Sequence, residues 1–167
     1  AIVLYGEYMW FVPKTKALTR ELHQGLVAGK NPGVITLPKF NLGVLVCADL
    51  WEAPLLHELV IKQKADLLVA PSWTATRKGN RHWAKRDFTT LAHTRSLEFS
   101  VPVIVSDHLE NRPHTDVANS TCIADPSQRQ MPLPLEDRIV RKIHQIDLAK
   151  VDKTRARWAD KGLAPNE

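Results

Sequence analysis

Apolar residues in this chain fall in short runs, broken by polar stretches that carry glycine and proline, and their spacing shifts between strand-like and helical several times. Residues 1–5 and 7–12 are two apolar stretches about Gly6, which predicts a β-hairpin ending at Pro13. Residues 19–26 predict a short helical or irregular piece, then comes a loop with Gly29, Pro32 and Gly33, and residues 34–37 predict a short strand. The run over 42–48 is unbroken and apolar, the mark of a strand buried on both faces. Leu55, Leu56, Leu59 and Val60 recur on one face of a predicted helix over 51–64, and 65–71 is the next buried strand. After a long polar loop, residues 83–99 predict a helix turning Phe88, Leu91 and Ala92 inward. Strands are predicted over 101–106 and over 120–124, the second closed by Asp125-Pro126, with a last one over 138–148 and a polar tail from 152 to 167. Strands alternating with helices predict an α/β layered domain, and no internal repeat is visible.

Length and composition narrow this picture. At 167 residues the chain suits one core, and with 44% apolar and 25% charged residues it reads as globular. The longest apolar runs, 43–48 and 65–71, are strand-sized, so no membrane span is expected. The first residue is Ala1 rather than Met, and it already opens an apolar strand with no signal-like features, so the sequence is expected to enter its domain partway. Two widely separated cysteines, Cys47 and Cys122, predict a reducing, cytoplasmic setting rather than a disulfide framework. No Cys/His spacing suits zinc and no Gly-rich loop suits phosphate, so neither metal nor organic cofactor is expected. The net charge of +5 gathers at Arg77, Lys78, Arg81, Lys85 and Arg86, flanked by Trp73 and Trp83. That cluster could hold nucleic acid, but a solvated loop and helix face is the expected reading, and it could also steer an anionic substrate.

The candidate chemistry centres on Cys47. It stands at the C-terminal end of a predicted buried strand and before a helix, where α/β folds place ligand sites and where first-turn N–H groups favour thiolate. Placement alone also suits a core-filling cysteine. The surrounding residues decide between the two. Gly43-Val-Leu-Val-Cys47-Ala-Asp49-Leu-Trp-Glu52-Ala-Pro54 resembles the nucleophile segment of the nitrilase superfamily. Lys64-Ala-Asp-Leu-Leu-Val-Ala-Pro71-Ser72-Trp73 is similar to that family's next strand. His93-Thr-Arg95-Ser-Leu-Glu98, followed by the strand through Ser106, resembles its Arg-x-x-Glu helix, and Asn119-Ser-Thr121 through Asp125-Pro126 its late Asp-Pro element. The pieces stand in the family's order over nearly the whole chain, which resembles the C-terminal two-thirds of the carbon–nitrogen hydrolase domain.

The resemblance implies an α/β fold with a β-sandwich between helix layers, αββα, lacking the N-terminal part of the domain, with residues 1–150 as a partial hydrolase domain and 151–167 as a polar tail. It implies a Glu–Lys–Cys mechanism on a small amide, carbamoyl or nitrile substrate, through a thioester or thioimidate at Cys47. Lys14 or Lys16 would supply the cation, Val12 before Lys14 favouring the former, and Glu21 resembles a second glutamate that positions the site. Trp51, Trp73 and His108 would shape specificity, with His114 near the same mouth. Asp49 is read as a helix cap and Arg95 with Glu98 as an internal ion pair. The general base would lie upstream of the lysine. Glu7, the one acidic residue before Lys14, falls in the hairpin turn. The alternative is therefore a catalytically inactive binding or assembly subunit. Either form is expected to be a homo-oligomer, with residues 138–158 as a candidate contact and apolar surface exposed by a strand-deficient sheet.

Overall fold

The computed structural model describes residues 1–30, 32–108, 115–128 and 145–161. Strands β1 (Ile2–Tyr5) and β2 (Tyr8–Phe11) form the expected hairpin, antiparallel, with Gly6 at φ 57° in its turn. A short helix α1 (Thr19–His23) follows, then β3 (Gly33–Thr36) and β4 (Asn41–Val44). The remaining strands are β5 (Leu67–Ser72), β6 (Ala75–Arg77), β7 (Val103–Asp107), β8 (Thr115–Val117) and β9 (Cys122–Ala124). One mixed sheet has the order β3-β4-β5-β7-β9. Its three central strands are parallel and its two edge pairings antiparallel.

The sheet's two faces follow the side-chain alternation of its strands. Leu68 and Ala70 of β5, Val103 and Val105 of β7, and Cys122 and Ala124 of β9 form one face. They bury against Leu56, Leu59 and Val60, and against Phe88, Ala92 and Phe99 of the long helix α3 (Arg81–Phe99). Gly43 is required on this face: a Cβ there would sit 2.5 Å from Leu68 Cδ2 and 3.2 Å from Ala65 Cβ. The opposite face carries Ile35, Leu42 and Val44, and Val3, Trp10 and Val12 of the hairpin segment pack on it. Helices, sheet and hairpin thus make successive α, β and β layers, as expected of the fold class.

Several boundaries differ from the sequence reading, each for a local reason. The run over 42–48 ends as a strand at Val44, although the Leu45 N–H still reaches the Val69 carbonyl at 2.9 Å. Cys47 then turns the chain at a positive φ of 53°. The predicted helix over 51–64 is a helix α2 (Ala53–His57) running into a π turn (Glu58–Lys62), preceded by a 3-10 turn (Cys47–Trp51) over the end of the predicted strand. Pro54, which lacks an N–H, suits only a first helical turn, so α2 has to begin beside it. The polar loop after β5 contains β6, paired with β8, a ribbon that hydrophobic periodicity did not reveal because it is three residues long. Leu148–Ala159 is a helix, α4, capped by Asp147 and burying Val151, where the sequence reading ended a strand and began a polar tail. The rest of that predicted strand, over 138–144, and His114 lie outside the described residues.

Candidate active site

Three adjacent parallel strands deliver the site. β4 runs out into Cys47, β5 into Trp73 and Thr74, and β7 into Asp107 and His108, so these residues gather beyond the C-terminal edge of the sheet. Cys47 is half-buried, and its thiol lies 3.9 Å from the Trp73 carbonyl. Its positive φ is unusual for a residue with a Cβ, a conformation that costs on the order of 1–3 kcal/mol and is kept where the surroundings fix it.

Asp49 fixes much of those surroundings. The sequence reading made it a helix cap, and it does accept the Val46 N–H at 2.9 Å, closing the 3-10 turn that starts at Cys47. The same carboxylate, only 1% exposed, also accepts the Thr15 N–H at 3.0 Å and the Lys16 N–H. It therefore ties the loop carrying both candidate lysines to the cysteine turn, a role that spacing along the chain could not display across 34 residues.

Within that loop the lysines differ. Lys14 donates to both oxygens of Glu21 at 2.7 Å, and the two side chains are 11% and 21% exposed. Burial raises the Glu21 pKa, but the Leu18 N–H and the Lys14 ammonium outweigh it and hold the carboxyl below its ordinary value. Lys16 pairs with Glu52 at 2.8 Å in a more exposed bridge.

Trp51 is held from behind: Arg95 donates to the Leu50 and Trp51 carbonyls at 3.3 and 2.8 Å while pairing with Glu98 at 2.6 Å. The Arg95–Glu98 pair was expected, but the hold on the 3-10 turn was not. On the other side Asp107, which the sequence reading passed over, accepts the Thr74 N–H, the Thr74 hydroxyl and the Ser120 N–H. That carboxylate joins the ends of β5 and β7 to the segment before β9. Its signal was an acidic residue closing a buried strand, and its partners lie 33 and 13 residues away.

A cavity of about 440 Å³ opens beside the thiol, with Cys47, Trp51, Trp73, Phe88, Leu18 and Lys16 in its lining. Trp51 and Trp73 thus stand with Cys47 as the sequence reading grouped them. Lys14 and Glu21 lie in the adjoining loop and helix, and His108 stands outside the lining. Cys122 belongs to the core, where burial pushes its thiol up to about 12. The basic cluster has Arg86 stacked 4.2 Å over Trp83 on the exposed side of α3.

No protein-family model and no curated protein matches the sequence. Solved structures do. A CN-hydrolase superfamily protein from Xanthomonas campestris, with an arsenic adduct in its active site, matches at a TM-score of 0.71 and 15% identity over 96% of this chain and 60% of that one. An amidase from Nesterenkonia matches at 0.63 and 17%, over 94% of this chain and 58% of that one. A Saccharomyces cerevisiae member of branch 10 of the nitrilase superfamily matches at 0.53 and 22%, over 66% and 38%. This chain spans less than two-thirds of each of those proteins. Beyond the sheet order and the site at its C-terminal edge, these likenesses establish the architecture: the chain has the α/β fold of the carbon–nitrogen hydrolases of the nitrilase superfamily.

Proposed function

We propose that the chain is the nucleophile-bearing part of a carbon–nitrogen hydrolase that cleaves a small amide, carbamoyl or nitrile substrate at Cys47. The observation that carries this is Cys47 itself: a half-buried thiol on a strained turn at a parallel strand end, beside a cavity and tied through Asp49 to a lysine-bearing loop. In the amide case the Cys47 sulfur bonds to the carbonyl carbon while a carboxylate takes the thiol proton. The C–N bond breaks as that proton passes to the departing amine, leaving a thioester. Water then adds to the acyl carbon, the C–S bond breaks, and the carboxylic acid leaves with the thiol restored. One of the structural neighbours, a variant of the Nesterenkonia amidase, carries the acetamide moiety of fluoroacetamide covalently at its active-site cysteine.

Lys14 is the proposed cation for the developing oxyanion, because its bidentate pair with Glu21 holds the ammonium in place, whereas Lys16 sits in a looser, exposed pair. The proposed base is a glutamate other than Glu7, which lies in the hairpin turn. A second reading, an inactive assembly subunit, draws on the exposed apolar hairpin face of Ile2, Leu4, Met9 and Phe11. In either case the chain would work as a homo-oligomer.

Iodoacetamide alkylation separates the two readings. At neutral pH the hydrolase reading expects Cys47 to alkylate faster in the folded chain than in the same chain unfolded in urea, and Lys14→Met to slow it several-fold, with Lys16→Met near wild type. Cys122 should react only on unfolding. A folded Cys47 no faster than the unfolded thiol sinks the hydrolase reading.

A further inference from the structure

Most polar side chains around the cavity are already paired, and that limits what it can hold. Thr74, 5% exposed, spends its N–H and hydroxyl on Asp107, with the hydroxyl also 3.3 Å from that of Ser120, and its carbonyl accepts the Ala118 N–H at 3.1 Å. Lys16 and Glu52 neutralise one another at 2.8 Å. The Trp73 carbonyl already takes the Ala75 N–H at 3.0 Å. Arg20 stands exposed, where water screens its charge. Apart from that exposed guanidinium, what remains for a ligand is chiefly apolar: the rings of Trp51, Trp73 and Phe88, and Leu18. Trp51 is braced edge-on against Phe88 with centroids 5.8 Å apart and held by Arg95, so this wall is set before a ligand arrives.

A polar substituent pushed among these rings would lose water and gain little in return. An apolar ring would gain contact with the aromatic side chains of the lining. A volume of about 440 Å³ is at the scale of a small-molecule site and leaves room for more than an acetyl group.

We propose that the cavity beside Cys47 is the acyl-group site for an uncharged aryl or arylalkyl amide or nitrile. This rests on the hydrolase reading for its chemistry, but the binding preference is a property of the recess alone. The ring lies between Trp51 and Trp73 with its edge toward Phe88, and the carbonyl or nitrile carbon faces the Cys47 sulfur.

The test uses the full chain and three probes: acetamide, phenylacetamide and succinamate. Protection of Cys47 from iodoacetamide is followed by mass spectrometry, and binding is followed independently by intrinsic tryptophan fluorescence in wild type and Cys47→Ala. Phenylacetamide should protect Cys47 in wild type, and bind in both proteins, at concentrations at least tenfold below acetamide. Trp73→Ala should bring that ratio near one, while Trp73→Phe should keep most of it. Equal binding of the two amides, or tighter binding of succinamate, overturns the proposal. The two readings fail separately. An unreactive Cys47 with the fluorescence preference intact removes the hydrolase chemistry and leaves the aryl site. A reactive Cys47 with no preference removes the aryl site alone.

Discussion

At the scale of single residues, the buried carboxylates organise the site more than any apolar side chain does. Asp49 is sealed from solvent, and its acceptor positions are filled by the backbone N–H groups of Thr15, Lys16 and Val46. Hydrogen bonds from N–H groups to a charged acceptor are each worth about 1.5–3 kcal/mol net, and a buried donor left unmade costs a similar amount. Asp49→Asn keeps the shape but turns one acceptor oxygen into an NH₂ donor facing N–H groups. The expected loss is about 2–4 kcal/mol in urea denaturation, with the 14–16 loop released and hydrogen exchange at Thr15 and Lys16 accelerated. A variant of near wild-type stability would mean that the loop is held by something other than Asp49. Cys47, Trp51, Trp73 and Lys14 could be singled out from the chain because their neighbours in sequence carry the signal. Asp107 could not, because everything that gives it a role arrives from elsewhere in the fold.

At the scale of elements, the central strands were legible because their burial on both faces leaves continuous apolar runs, as over 67–71 and 101–105. The segment after Cys47 was legible as helical but not as three successive helical turns of different pitch. Its apolar spacing marks which residues face the sheet, but over so few residues it does not show where one pitch gives way to the next. The close approach of β5 and of the chain just before its start explains Gly43, whose added methyl would press on the fully buried Leu68 and on Ala65. Gly43→Ala should therefore destabilise the chain by about 1–3 kcal/mol by thermal or chemical unfolding. The paired variant Gly43→Ala/Leu68→Val should recover part of that loss. If the single variant is as stable as wild type, Leu68 and Ala65 are packed less closely on Gly43 than these distances require.

At the scale of the whole molecule, the hairpin stands out. Its inner face, Val3 and Trp10, packs on the sheet, but the cross-strand pairs Ile2 with Phe11 and Leu4 with Met9 face outward at 55–70% exposure. Four large apolar side chains on one small face of a two-stranded ribbon make a contiguous patch of the kind that marks an interaction surface. The chain alone should self-associate at micromolar concentration in sedimentation velocity. Leu4→Thr/Phe11→Thr, which keeps strand propensity, should shift it toward monomer without lowering its melting temperature by more than a few degrees. A monomeric wild type would leave this face without the proposed role in assembly.

The sequence alone determined the alternation of buried strands and helical faces, the layered class that follows from it, and the cysteine at a strand end. All of these are written in near-neighbour patterns, periods of two and of about 3.6 residues and motifs a dozen residues long. Tertiary structure decided which residues share the site. It brought a lysine loop to the cysteine turn through Asp49, tied the Trp51 backbone to Arg95 across 44 residues, and set the Trp51, Trp73 and Phe88 rings in the lining of the cavity beside the thiol. The physical reason is that a hydrogen bond or an ion pair acts over about 3 Å of space regardless of separation along the chain. Such pairings leave no periodic trace in the sequence and become visible only when the fold has closed them.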